Sequence, residues 1–580
     1  MATRGGAVHV AVTRRHYKDK VYETTLLRRS YREGGKVKTE TLGNLSHLPP
    51  ETIALIRESL AGKFHVEAGA DWEIERALPH GHVAALWAMA KKLGLAELLG
   101  PACAERDLAL ALVVARAVKP ASKLATTRWW TDTTLAADVG VAGASTDEVY
   151  AAMDWLVGRQ ETIETTLAKR HLSEGALVLY DLSSSWMEGT HCPLAARGYS
   201  RDHKGGKAQI EYGLMTDTEG RPISVEVFAG NTGDPTAFIS AAAKVRDRFG
   251  LKEVVMVGDR GMITSARIDA LRPLEGMSWI TSLRAPAVKA LAEAGALQLS
   301  LFDEANLAEI AHPDFPGERL VACRNPALAA ERTRKRSELL DATEADLAKV
   351  AAAVTRERRP LRGQDKIALR VGRIVNAHKM AKHFELTITD SALVFARKAT
   401  EIAAEAVLDG IYVVRTCVPA RRLDAGGVVE AYKGLEVVEA DFRSLKAIDL
   451  DLRPVHHYLE DRVRAHVLIC MLAAYVIWHL RQAWAPICFT DEQPPARTDP
   501  VAPAESSPAA RTKAARKRST DNNHTSHSLA TLLDHLATLT RNTIVFAGGV
   551  RIDKLAVPTP LQRRAFELIG APIPAVLSSM

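Results

Sequence analysis

Between about residues 176 and 285, apolar runs of strand length alternate with amphipathic runs of helix length. No other feature of the chain constrains its fold as strongly. "ALVLYDLSS" reads as a strand, and "QIEYGLMTDTEGRPISVEVFAG" as a hairpin about the turn "DTEGRP". "PTAFISAAAKVRDRFG" has helical periodicity and stops at Gly250. "EVVMVGD" is a strand, "ITSARIDALRPL" a helix and "SWITSLRA" another strand. The order β-β-β-α-β-α-β predicts an α/β fold in which a mixed sheet is flanked by helices.

The rest of the chain is organised around this segment. Its 580 residues argue for several domains. Residues 1–60 read as a basic, β-rich arm with a hairpin turning at Gly34 and Gly35, and Arg14 and Arg15 lie in its charged stretch. Three tyrosines interleave with the bases, which suits a solvated ribbon or a nucleic-acid contact equally. Residues 61–170 read as a helical, DNA-binding region. Residues 171–285 form the first part of the α/β core, 286–410 an insertion and 411–489 the second part. Residues 490–527, rich in Pro, Ala, Ser, Thr and Asn with a basic cluster from Arg511 to Arg518, read as a disordered linker. Residues 528–580 have no assigned role.

The formal charge of +7 suits a polyanionic partner but is modest for this length. The six cysteines form no CxxC pair, which argues against a zinc site or a disulfide framework. The most apolar run, Val467 to Trp478, is short for a membrane span and reads as a core helix. No signal-like core opens the chain, so a cytoplasmic protein without membrane attachment is expected.

Two of the strands deliver an aspartate at or near their C-terminal ends, Asp181 and Asp259. A carboxylate there needs a partner or a cation, or it caps a following helix. A third acid emerges from spacing. In a helix read over Gly426 to Ile448, Tyr432, Leu435, Glu439, Arg443 and Lys446 share one face. Two aspartates and a glutamate suit two magnesium ions, which prefer oxygen ligands and assist phosphoryl transfer. Arg443 and Lys446 would meet a DNA backbone.

These residues resemble the DDE transposases of bacterial insertion sequences, in the branch carrying a Y-x(2)-R-x(3)-E-x(6)-K signature. Here that signature is Tyr432, Leu435, Glu439 and Lys446, with leucine in place of arginine and Arg443 nearby on the same face. "GYSRDHKGGKAQIEYGL" adds to the likeness. The resemblance implies an RNase H-like core with a large insertion before the last catalytic helix. It implies Asp181, Asp259 and Glu439 as the catalytic and metal-binding triad, with magnesium or manganese as cofactor. It also implies cleavage at element ends and strand transfer into target DNA, by a homodimer on DNA at the bacterial nucleoid. Tyr432, Arg443, Lys446, Lys204, Lys207, Arg260, Arg14 and Arg15 are the expected DNA contacts. Alternatives are an RNase H-like nuclease or resolvase that does not join strands, and a domesticated DNA-binding protein without catalysis. Glu460 and Asp461, beside His456 and His457, read as structural ion-pair partners of Arg462 and Arg464 rather than metal ligands.

Overall fold

In the computed structural model, the alternation of residues 176–285 folds in the expected order. Described are residues 6–18, 20–33, 35–63, 72–189, 191–272, 274–519, 521, 524–546, 549–577 and 580. The chain divides into two units: residues 1–77 with 542–554, and residues 78–541 with 555–580.

In the first unit, β1 (Ala7–Tyr17), β2 (Lys20–Glu33) and β3 (Lys36–Asn44) form an antiparallel sheet. Of the two expected turn glycines, Gly35 has φ +76°, a conformation glycine adopts without cost, and Gly34 lies outside the described residues. The helix Pro50–Leu60 packs on β1, and β4 (Trp72–Pro79) follows.

The second unit is built on an eight-stranded mixed sheet. Its strands are β5 (Ala176–Trp186), β6 (Gln209–Thr216), β7 (Pro222–Ala229), β8 (Val254–Val257), β9 (Met277–Ser282), β10 (Leu307–Ile310), β11 (Arg319–Arg324) and β14 (Ile411–Thr416). The spatial order is β10-β11-β14-β9-β8-β5-β6-β7. β5, β8 and β9 are parallel and the other pairings antiparallel. Both faces of the centre are covered, which is why these strands read as near-continuous apolar runs. The Tyr180 hydroxyl donates to Ala237 O on the helix Asp234–Ala243, which fixes that helix on one face. Leu179, one residue earlier, points the other way, towards Gly434.

Behind the sheet, the helix Glu460–Ala483 packs against β7 and the helices Ala104–Val118 and Thr146–Val157. It is longer than the apolar run in the sequence suggests, and long and apolar enough to cross a membrane. Its most apolar window is 83% buried inside the fold, as in a central core helix.

Two expectations need correction. The insertion is not wholly separate, because β10 and β11 extend the main sheet. The excursion begins after β11 and returns at β14. It holds the long helix Pro326–Thr355, the helix Gln364–His378 and a hairpin of β12 (Phe384–Ile388) and β13 (Leu393–Arg397), around a core that includes Leu347, Val354 and Ile367. The expected disordered linker, 490–527, is packed where it is described. Lys513 is buried and donates to Ala485 O, Thr490 O and Glu492, and the Lys433 ammonium holds Val501 O and Ala502 O at 2.7 and 2.8 Å. The C-terminal segment is shared. Its helices Leu529–Ala537 and Pro560–Ile569 pack on the helix Gly81–Lys92, while β15 (Thr540–Phe546) and β16 (Arg551–Leu555) form a sheet with β4.

Candidate active site

The parallel pairing of β5 and β8 sets the level of two acids. The last paired rung is Leu179 with Val257. Asp181, on β5, and Asp259, just after the end of β8, each lie two residues beyond it. Asp181 is not at a strand tip as expected, because β5 runs on to Trp186 paired with β6 alone. Neither aspartate is a helix cap. Asp181 lies within a strand, and the helix after Asp259, Ser265–Leu271, takes Thr264 as its N-cap.

The third acid comes from a helix on the Leu179 face. The single regular helix expected from Gly426 to Ile448 is interrupted. It forms Ala425–Lys433, then Leu435–Arg443, then a π-helical turn over Ser444–Ile448. Gly434, at the break, lies so close to β5 that a Cβ there would meet Leu179 Cδ1 at 3.4 Å and Ala431 O at 3.0 Å. Leu435–Arg443 packs on β5, with Leu435, Val438 and Phe442 buried and Glu439 exposed.

Electrostatics tie the three acids together. Burial pushes the Asp181 carboxyl up to about 7, and the charges of Asp259 and Glu439 push the same way. The Leu182 N–H, 2.8 Å from Asp181 Oδ1, and the Arg201 charge oppose them. Among the described residues, no three His, Cys, Asp or Glu side chains form a group that could hold a metal ion as they stand. The donor chemistry nonetheless fits a hard divalent cation: three carboxylates, with the half-buried Asp181 unfavourable as an anion without added positive charge.

The expected DNA contacts divide. Arg443 and Arg260 are exposed. Arg260, next to Asp259, lines a cleft of about 1120 Å³ together with Lys289, Arg332, Lys335 and Lys379. Lys204 is exposed and lies 5.5 Å from the centre of the Trp186 ring, and Lys207 pairs with Glu188 at 3.0 Å. Arg14 and Arg15 are exposed on β1, with Arg14 paired to Glu23. Two residues stand elsewhere than expected. Tyr432 is half-buried, its hydroxyl 2.8 Å from Ser282 Oγ and 3.4 Å from Asp259 Oδ1. Lys446 is buried, its ammonium 2.9 Å from Asp202 Oδ1. For Lys446 the π turn accounts for this, since it rotates later residues off the face that 3.6-residue periodicity assigns. Outside the site, Glu460 is held by Arg464 at 2.6 Å, and burial pushes His457 down to about 3.

The residues not anticipated from sequence are Arg201, Glu211, Ser282 and the inward role of Asp202. Arg201 Nη1 lies 3.7 Å from the buried Glu211, and its backbone N–H donates to Ser184 Oγ. The available signal was an isolated acid in a basic loop, "SRDHKGGK", a pattern that suits an internal ion pair.

A family model described as the transposase DDE domain matches residues 180–477, more than half of the chain. The chain belongs to the DDE transposases. A second model, the N-terminal domain of IS1634 family transposases, matches residues 10–71, so this is a transposase of the insertion-sequence type. The transposase is also similar to a solved piggyBac transposase synaptic complex with hairpin DNA, at 10% identity and a TM-score of 0.33, over 64% of this chain and 65% of that one. It thus spans just under two thirds of that chain's length. No curated protein matches it.

Proposed function

We propose that this transposase cleaves DNA at the ends of its element and joins the freed ends to target DNA, with Asp181, Asp259 and Glu439 holding two magnesium ions in an RNase H-like core. The observation that carries the reading is that Asp181 and Asp259 each follow the last shared rung of β5 and β8 by two residues, with the Glu439 helix packed on the Leu179 face of β5. Bound magnesium would supply Lewis-acid stabilisation of charge on the attacked phosphate. In the first step water adds to phosphorus and the 3′ oxygen leaves as a hydroxyl. In the second, that hydroxyl attacks a target phosphodiester and a target 3′ oxygen leaves. Arg260 beside Asp259, Arg443 on the Glu439 helix and Lys204 near Trp186 are exposed and suited to phosphate, as are Arg14 and Arg15 on the basic arm. Lys207 would exchange its pairing with Glu188 for the backbone. Two ends must be joined, so a dimer on DNA at the nucleoid is the expected working form, with manganese able to substitute for magnesium.

The test uses the full chain, magnesium, and DNA that flanks the coding region. Cut and joined products are expected from the parent, and neither from Asp259→Asn or Asp181→Asn. Cuts without joined products would favour a nuclease. Excision unchanged by Asp259→Asn would favour a non-catalytic DNA-binding role for these acids.

A further inference from the structure

Asp202 is an exception in its loop. Lys204, Gly205, Gly206 and Lys207 are exposed, but the Asp202 side chain is only 1% exposed. Three donors converge on it. The Lys446 ammonium lies 2.9 Å from Oδ1, the Arg453 guanidinium pairs with the same oxygen, and the Trp186 N–H is 3.4 Å from Oδ2. Each donor comes from a different part of the site. Trp186 ends β5, the strand of Asp181. Lys446 lies in the π turn that continues the Glu439 helix. Arg453 begins the segment that zips onto the end of β5, where Val455 N donates to Trp186 O at 3.1 Å and Glu188 N to Val455 O at 2.9 Å. Arg453 and Lys204 also each lie 5.5 Å from the centre of the Trp186 ring.

A buried carboxylate held by two cations and a backbone N–H is a rigid joint, because removing any partner leaves a charge without compensation. This joint connects the strand of the first acid to the helix of the third. It also fixes the loop that carries Arg201, whose backbone is tied to Ser184 and whose side chain is paired with Glu211.

We propose that Asp202 is a positioning residue of this transposase, and that its bridge to Lys446 and Arg453 sets the separation of Asp181 and Glu439. In this arrangement Lys446 acts through Asp202. The proposal rests on the reading of Asp181, Asp259 and Glu439 as the metal-holding triad.

The test compares Asp202→Asn, Lys446→Met and the double variant, in the full chain. Manganese binding to the DNA-free protein is measured by calorimetry. Affinity for flanking DNA is measured by gel shift, and cleavage is followed against magnesium concentration. Each single variant is expected to weaken manganese binding and raise the half-saturating magnesium about fivefold or more, with DNA affinity within about twofold of the parent. The double variant should be no worse than the poorer single one, because both remove the same bridge. Weaker DNA binding by Lys446→Met with unchanged metal binding would overturn the proposal, as would additive effects. If Asp202→Asn fails to fold, Arg453→Lys, which keeps the charge and shortens the reach, must show the same metal shift or the proposal falls. Asp181→Asn separates the two levels. If it binds manganese and cleaves like the parent, the triad reading is wrong. If it is inactive while Asp202→Asn behaves like the parent, only the present inference is wrong.

Discussion

The hydroxyl of Tyr432 stands between Ser282 and Asp259, 2.8 Å from Ser282 Oγ and 3.4 Å from Asp259 Oδ1. Ser282 ends β9 and Asp259 follows β8, so the tyrosine ties two neighbouring strand ends to the helix Ala425–Lys433. Burial pushes its phenol up to about 12, so it remains a donor at neutral pH. Tyr432→Phe is expected to slow single-turnover cleavage about tenfold, the worth of one hydrogen bond to a charged group at roughly 1.5 kcal/mol. DNA affinity should not change. Reduced affinity with an unchanged cleavage rate would return Tyr432 to the DNA interface.

Gly213 leaves room for a neighbour. A Cβ there would lie 2.0 Å from Tyr180 Oη and 2.5 Å from Cζ, in the core of the sheet. The Tyr180 ring is buried and hydrogen-bonded, so it cannot step aside. Gly213→Ala is expected to destabilise the second unit by about 3 kcal/mol, as overpacking does. Thermal melting checks this, and an unchanged melting temperature would show that the strand shifts freely.

Glu318 is buried and accepts two hydrogen bonds from Arg415, both at 2.6 Å, and a third from Arg272 at 2.8 Å. Glu318→Ala leaves the Arg415 charge buried without its partner. A loss of about 3–5 kcal/mol is expected. Replacing Glu318 and Arg415 together by apolar residues should cost less than Glu318→Ala alone, which paired melting curves will show.

Lys123 gives a pH signature. It is fully buried, and desolvation, helped by the Arg116 charge, pushes its ammonium from 10.5 down to about 7. The groups acting on it are Arg116, which lowers it further, and Cys470, which raises it, and the buried His466 faces it with Nδ1 3.4 Å from Nζ. Between pH 7 and 10.5 the unfolded lysine keeps its proton and the folded one does not, so this contribution to stability rises with pH across that window. Below 7 the buried charge exerts its full penalty. Lys123→Met should therefore melt higher than the parent at or below pH 7, and the advantage should shrink as pH rises to 10.5. A constant difference across that range would contradict the assignment.

What could be read from the sequence follows from the range of the forces involved. The order of elements from 176 to 285 is set by local periodicity, and it emerges unchanged. The positions of Asp181 and Asp259 on β5 and just after β8 follow from the same local pattern. Strand neighbours depend on long-range pairing, so the entry of β10 and β11 into the main sheet left no trace in the pattern. The helix break at Gly434 was visible only as one glycine, and a glycine in a helical pattern does not by itself end a helix. The inward turn of Lys446 required the π-helical geometry, which the ideal period does not contain. Residues 490–527 looked disordered by composition, yet they are held by individual bonds, from the buried Lys513 to Ala485 O and from Lys433 to Val501 O, which composition does not register.

The excursion beyond β11 leaves and returns through one rung. Arg324 and Ile411 face each other as the end of β11 and the start of β14. In topological terms, residues 325–410 are the loop of an overgrown β-hairpin. The entropy of closing such a loop grows only with the logarithm of its length, so the sheet is nearly indifferent to how much chain hangs from that point. This makes the region a modular appendage, one whose size and content evolution could exchange without re-registering the strands beneath Asp181 and Asp259.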